Sequence, residues 1–434
     1  MKNIPLRFTA YHKLVIVIVA LMQFSIVLDF LIMAPLGNIL IKDMRLSTAQ
    51  FGTAVSVYAF SAGASGLLVA GFADRYPRKS LLLFAFTGFT AGTLLCGLVN
   101  SYPLLLLART VAGIFGGSVF AMVGTVVADV FPFEQRGRVM GFVQLSFATC
   151  QVIGLPTGVF LSSLYGWHAP FFAITVLCVC IGLLIWKGLR PLNKPQEENA
   201  PPFRHLFNTA KQTAYRLPYV TTLLISLPGY MFMPFAAQYL VGNIGISQEG
   251  LGTVYLVVGI CSAVVLPFIG LLCDRLGKWQ TFVCGSVLAC CMMAIYVNFN
   301  LPPLWTVALL TAVMYTGLLG RNVPSTALMT AVPSATDRGA FMSINSAMQQ
   351  IGGGVSSVAA GYILTRRGEQ VVHFETVGYI CIVAMAICSF TVYRIYKNIV
   401  RREVVKEIES RVLLQTEAVD NAMTMRQKKE MSYQ

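Results

Sequence analysis

Stretches of about 20 mostly apolar residues, separated by short polar breaks, recur along this chain, and each is long enough to cross a hydrocarbon core about 30 Å thick. They fall near residues 14–36, 50–72, 80–99, 104–127, 139–163, 169–189, 219–242, 250–272, 281–299, 304–330, 340–364 and 375–396. A backbone facing lipid must satisfy its own hydrogen bonds, so all twelve are expected to be helices. The alternating segments that a membrane barrel needs do not occur in the sequence. The first stretch is too long for a removable leader and has Asp29 inside it, so it reads as a retained helix. Composition agrees: 56% of the 434 residues are hydrophobic and only 12% charged, too few to cover a water-soluble surface.

The bases outnumber the acids, 32 Lys and Arg against 18 Asp and Glu, for a net charge of +14. In a soluble protein that excess suggests a nucleic-acid partner. Here its placement argues otherwise. With the N-terminus in the cytoplasm, 26 of the 32 bases fall in cytoplasmic segments, and only Lys42, Arg45, Arg366 and Arg367 in outer loops. Such a bias is an orientation signal. It predicts a bacterial-type inner-membrane protein with both termini cytoplasmic, anionic lipid at the cytoplasmic face and no nucleic acid. The 11 Cys contain no C-x-x-C, and the four His lie outside the spans or at their edges. No metal site, disulfide framework or cofactor is therefore expected.

Six spans precede residue 190 and six follow 218, which divides the chain into an N-terminal bundle (1–190), a Pro-rich cytoplasmic linker (191–218), a C-terminal bundle (219–396) and a tail (397–434). The halves echo each other. Gly71-Phe-Ala-Asp74-Arg75-Tyr-Pro-Arg78-Lys79 follows the second span, and Gly270-Leu-Leu-Cys-Asp274-Arg275-Leu-Gly277-Lys278 follows the eighth. Asp129-Val-Phe-Pro132-Phe-Glu-Gln-Arg136-Gly137 follows the fourth span, and Pro333-Ser-Ala-Thr-Asp337-Arg338-Gly339 the tenth. Matched motifs in matched loops indicate an internal duplication, and repeats of this kind place a substrate site between them near the bilayer midplane.

On these residues the chain resembles the major facilitator superfamily, and within it the twelve-span drug–proton antiporter branch. Arg109-Thr-Val-Ala-Gly113 matches that family's fourth-span motif with Ala112 in place of Gln, and Gly154-Leu-Pro156-Thr-Gly158 approximates its fifth-span signature. The resemblance implies an all-α polytopic membrane protein, with 12 transmembrane helices in two pseudo-symmetric six-helix bundles. It also implies that Asp74, Arg75, Arg78 and Asp129, with Asp274 and Arg275 in the second copy, form gating contacts that hold an outward-open state.

Three ionisable residues lie well inside spans: Asp29, Arg109 and Arg321. Burial of each is costly unless it faces water or a partner, so function is the default expectation. Asp29 and Arg109 fall at similar depth, roughly 10 Å from the outer end of their spans, and are expected to form an ion pair in a water-accessible cavity. Desolvation favours a neutral acid and a guanidinium favours its carboxylate, so proton affinity there changes as the cavity opens and closes. Arg321 falls in the inner third of its span, where it either lines the cavity or snorkels to headgroups. Gln144 with Gln151, and Asn345 with Gln349, share helix faces by spacing. The seventh span carries Pro228, Tyr230, Pro234 and Gln238, which predicts a bent or broken helix beside the substrate.

The expected function is secondary transport by alternating access, not catalysis: proton-coupled export of a small amphiphilic compound by a monomer. Uptake symport or facilitated exchange of a metabolite or lipid is the alternative within the family. A polytopic enzyme or receptor is the alternative outside it.

Overall fold

The computed structural model describes residues 8–72, 76–191, 202–298, 303–334 and 336–401. The N-terminal half comprises α1 (Ala10–Leu31), α2 (Met33–Asp43), α3 (Thr48–Phe72), α4 (Arg78–Leu98), α5 (Tyr102–Val130), α6 (Phe133–Thr149), α7 (Leu155–Tyr165) and α8 (Ala169–Gly188). A short helix, α9 (Pro202–Lys211), lies in the linker. The C-terminal half holds α10 (Thr213–Gly242), α11 (Gln248–Leu276), α12 (Lys278–Val297), α13 (Leu304–Ala331), α14 (Arg338–Ile363) and α15 (Phe374–Arg401). Among the described residues, 11 helical stretches are long and apolar enough to cross a membrane. The twelfth crossing is α14, whose 26 residues include Asn345, Gln349, Gln350 and three successive glycines. It is long enough to span but less apolar, because most of its neighbours are other helices.

The helices depart from uniform rods where proline dictates. Pro35 has no N–H to give the carbonyl of Leu31, so the first crossing breaks at Ile32 between α1 and α2. This crossing runs from Ala10 to Asp43, longer than the 14–36 expected, and leaves Asp29 deeper, about 21 Å from its far end. Pro156 likewise cannot serve Val152, and Cys150–Gly154 form a π turn between α6 and α7. The seventh crossing is not broken: α10 is one continuous helix through Pro218, Pro228 and Pro234. It begins at Thr213, within the segment read as linker. Strands β1 (Thr365–Arg367) and β2 (Gln370–Val372) pair antiparallel as a hairpin between α14 and α15, with Gly368 (φ 64°) in the turn.

The halves meet in matched pairs: α3 packs along α14, α11 packs on α7 and the π turn, and α2 packs on α10. Small residues let these helices approach. Gly52 faces Ser357 and Gly361, and Gly259 lies against the backbone of Gln151. Polar bonds then close the side carrying the hairpin. Thr48 Oγ1 donates to the Leu364 carbonyl (2.5 Å), and Gln248 Nε2 to that of Pro35 (3.1 Å). Lys42 pairs with Glu369 (2.5 Å), and Arg366 Nη2 reaches Asn38 Oδ1 (3.4 Å). We call this the hairpin side, and the opposite one, with α9, the linker side.

Candidate functional site: a buried charge pair under an aromatic bridge

Asp29 lies three residues before the break at Ile32, on the face of α1 turned into the N-terminal half. Arg109, two turns into α5, meets it there. Its Nη1 donates to Asp29 Oδ2 at 2.9 Å and to the Asp29 backbone carbonyl at 3.3 Å. Thr93 of α4 donates to the other carboxylate oxygen, Oδ1, at 3.1 Å. The guanidinium lies 4.4 Å from the ring centre of Tyr58 on α3. Four crossings thus converge on one ion pair, and both its side chains are 0% exposed. The sequence placed this pair in a water-accessible cavity; in this conformation it is fully enclosed. Close packing of Gly92 on Ala112, the Tyr58 ring and the closed hairpin side together exclude solvent.

From this pair an aromatic bridge leads to the other half. Phe30 packs on Tyr58 (centroids 5.5 Å) and on Tyr230 of α10 (5.2 Å). Tyr230 donates its hydroxyl to Gln350 Oε1 at 2.6 Å, and its ring lies where a Cβ on Gly353 would sit. Phe30 and Tyr230 are half-buried, so the bridge is the exposed edge of the site.

The other expected residues are distributed less compactly. Gln151 is buried where α11 presses on its backbone, whereas Gln144, nearly two turns away, is exposed. Asn345 accepts from Thr222 Oγ1 (2.5 Å), but Gln349 is exposed. It is Gln350, one residue on, that reaches Tyr230. Gln238 is buried beside Gly37 of α2, with its Nε2 unpaired. Arg321 neither snorkels nor finds a carboxylate among the described residues. It is buried, donating from Nε to Ser286 Oγ at 3.2 Å, with Phe282 5.5 Å away.

On the linker side, Arg78 Nε pairs with Asp129 Oδ2 at 3.2 Å, both side chains buried. Asp74 and Arg75 lie outside the described residues. Asp274 and Arg275 are exposed at the end of α11. Asp337 accepts from Gln212 Nε2 (3.2 Å) and from the Tyr215 hydroxyl (3.0 Å). These bonds, Gln212's foremost, hold its carboxyl below the usual carboxylate range.

Thr93, Tyr58, Phe30 and Gln350 were not foreseen. Phe30 adjoins Asp29 and Gln350 adjoins Gln349, but no spacing rule links Tyr58 or Thr93 to Arg109, since they come from separate helices.

Two halves of six crossings each, with a buried ion pair in the first, define a polytopic membrane protein. The model of the Major Facilitator Superfamily matches residues 19–225 and again 218–418, and the chain belongs to that family. It is 26% identical over 389 residues to the MFS-type transporter YceJ of Bacillus subtilis, covering 88% of this chain and 96% of that protein. It is 24% identical over 287 residues to a chloramphenicol resistance protein of Streptomyces lividans (66% and 72% covered). Its fold is similar to a bacterial homologue of the lysosomal transporter Spinster in an inward-facing, occupied conformation. That likeness has a TM-score of 0.69 and 16% identity, and covers 90% of this chain and 97% of that one. The nucleoside transporter NupG is similar in fold at TM-score 0.69 and 14% identity, with 90% and 100% covered. The chain is thus an integral membrane protein of a transporter family.

Proposed function

We propose that this carrier exports a small amphiphilic compound in exchange for protons, with the hairpin side facing outward. The observation that carries the reading is the Asp29–Arg109 pair. It is a fully buried carboxylate–guanidinium contact well inside its crossings, and it sits at the end of the bridge that joins the halves. An ionised Asp29 holds Arg109 through Oδ2; a protonated one releases it. Enclosure changes which form is favoured, so movement of the halves exchanges a proton at that oxygen. The resistance protein among the relatives supports export, and the base-rich linker side supports the orientation.

The Arg78–Asp129 pair fits a gating role, because it ties the start of α4 to the end of α5 where the loops begin. Alternating access would load and unload such a buried pair.

The test is a proteoliposome assay with an imposed pH gradient and a panel of amphiphiles. Wild type should accumulate at least one compound against its gradient, and Asp29→Asn should retain exchange but lose the pH drive. Equal gradient-driven transport by both proteins would remove Asp29 from coupling. Accumulation in the direction of proton entry would replace export with uptake symport.

A further inference from the structure

We infer that the group recognised at the charge pair is a hydrogen-bond acceptor on a flat apolar ligand, gripped by Arg109 and Tyr58, and not a cation gripped by Asp29. The inference rests on the transport reading and narrows it to a substrate class.

The bonding capacity of the site is lopsided. Asp29 has a donor on every oxygen: Arg109 on Oδ2, Thr93 on Oδ1 and Arg109 again on its backbone carbonyl. A cationic ligand would have to displace an arginine that already neutralises the carboxylate. Arg109 is different. A guanidinium carries five N–H donors in a fixed fork, yet its Nε and Nη2 are buried without a hydrogen-bond partner, and beside the guanidinium stands the Cys96 thiol, a weak acceptor. The Tyr58 hydroxyl is buried and unpaired as well. The Tyr58 ring beneath Arg109 offers its π face, which attracts charge but supplies no lone pair. Buried donors without acceptors are unfavourable, more so when charged. What the site lacks is therefore acceptors: a carbonyl, nitro, hydroxyl or carboxylate oxygen.

The surroundings set the rest of the ligand. Phe30 brings only a ring, and the Tyr230 hydroxyl is engaged by Gln350, so both present flat apolar walls. Phe30 is also the ring through which Tyr58 meets the other half. Parting the halves at Phe30–Tyr230 opens the edge of the site nearest Tyr58. An uncharged or anionic aromatic compound with an exposed oxygen acceptor matches these features; a quaternary ammonium compound does not.

The experiment uses the full chain in nanodiscs and three probes with the same alkyl tail: a p-nitrophenyl amide, a p-alkyl benzoate and a benzyl-trimethylammonium. Binding is read by calorimetry. The two acceptor-bearing probes should bind about tenfold tighter than the ammonium, the change expected of one well-placed charged hydrogen bond. Arg109→Lys keeps the charge and loses the fork, and should weaken only those two probes, by about tenfold. Tyr58→Phe, which removes one oxygen and keeps the packing, should weaken them about threefold to tenfold. Tightest binding by the ammonium probe, equal or absent binding of all three, or no effect of Tyr58→Phe would overturn the inference. Counterflow of the bound probe in vesicles separates this from the transport reading. Binding in the expected order without movement sinks transport alone, and movement with ammonium preferred sinks the substrate class alone.

Discussion

Each half of the molecule buries one arginine on the fourth crossing of its bundle, and the two stand in different company. Arg109 meets a carboxylate, a threonine hydroxyl donating to that carboxylate, and a tyrosine face. Arg321 meets a serine oxygen, the Cys388 thiol and a phenylalanine ring, with Nη2 unpaired. Both helices pack closely on the third crossing of their half, Gly92 on Ala112 in one and Gly317 on Ala289 in the other. The scaffold of the duplication is thus retained while the chemistry has diverged. Among the described residues the fully buried carboxylate–guanidinium pair lies in the N-terminal half, and the proposed proton exchange is therefore placed there. The C-terminal half supplies Tyr230 and the helix surfaces against which that exchange is felt.

This contrast is easiest to break through stability. Asp29→Ala leaves a buried guanidinium without its counter-charge and should cost about 3–5 kcal/mol, as breaking a buried pair does. A double replacement of Asp29 and Arg109 by apolar residues should recover at least half of that loss, measured by unfolding in detergent as a double-mutant cycle. A loss from Asp29→Ala no greater than about 1 kcal/mol would mean that water relieves the pair, and the enclosure described above would be wrong.

In the other half the same operation should do little. Arg321→Met removes a charge that strands no carboxylate among the described residues. Ser286 keeps its bond to the Phe282 carbonyl at 2.8 Å. Stability should change by no more than about 1 kcal/mol, or rise, since apolar isosteres often equal buried ions. A loss of about 3 kcal/mol or more would reveal a counter-charge for Arg321 and restore symmetry between the halves.

These arguments also show why some features were legible in the chain and others were not. Span length, the duplicated loops and the position of bases follow from rules acting within a segment, so the twelve-helix family fold could be read directly. Asp29 and Arg109 stood out because a charge in an apolar run is conspicuous anywhere. Tyr58, Thr93 and Gln350 did not, since a hydroxyl or amide in a membrane helix is common and its partner lies on another helix. The fate of Gln349 shows the limit of helical spacing: one residue decides whether an amide meets Tyr230 or faces outward. The hairpin was hidden because its two strands have only three residues each and draw their partners from α2 and α10. Asn243, for example, exchanges two hydrogen bonds with Val371.

The smallest expected effect concerns the second pair of duplicated loops, on the linker side. In the N-terminal copy, Arg136 turns back on its own half, donating to the carbonyls of Phe131 (3.0 Å) and Ala128 (2.7 Å) at the end of α5. In the C-terminal copy, Asp337 reaches towards the linker, accepting from Gln212 and Tyr215 with His205 of α9 at 3.7 Å. One loop caps a helix and the other moors the linker helix. Asp337→Ala should therefore raise amide exchange by a few fold across 203–216 and leave 126–131 unchanged, while Arg136→Ala should do the reverse. The pH dependence has a definite sign. Because these bonds lower the Asp337 carboxyl relative to the unfolded chain, their contribution is present above the ordinary Asp value near 4. It is lost only as the pH falls through the lower folded value. Exchange in 203–216 should thus show no Asp337-dependent rise between pH 7 and about 5, comparing wild type with Asp337→Ala. A rise in wild type within that window that the variant lacks would mean that the Asp337 carboxyl takes up its proton there, so that these bonds do not hold it low and do not moor the linker helix as described.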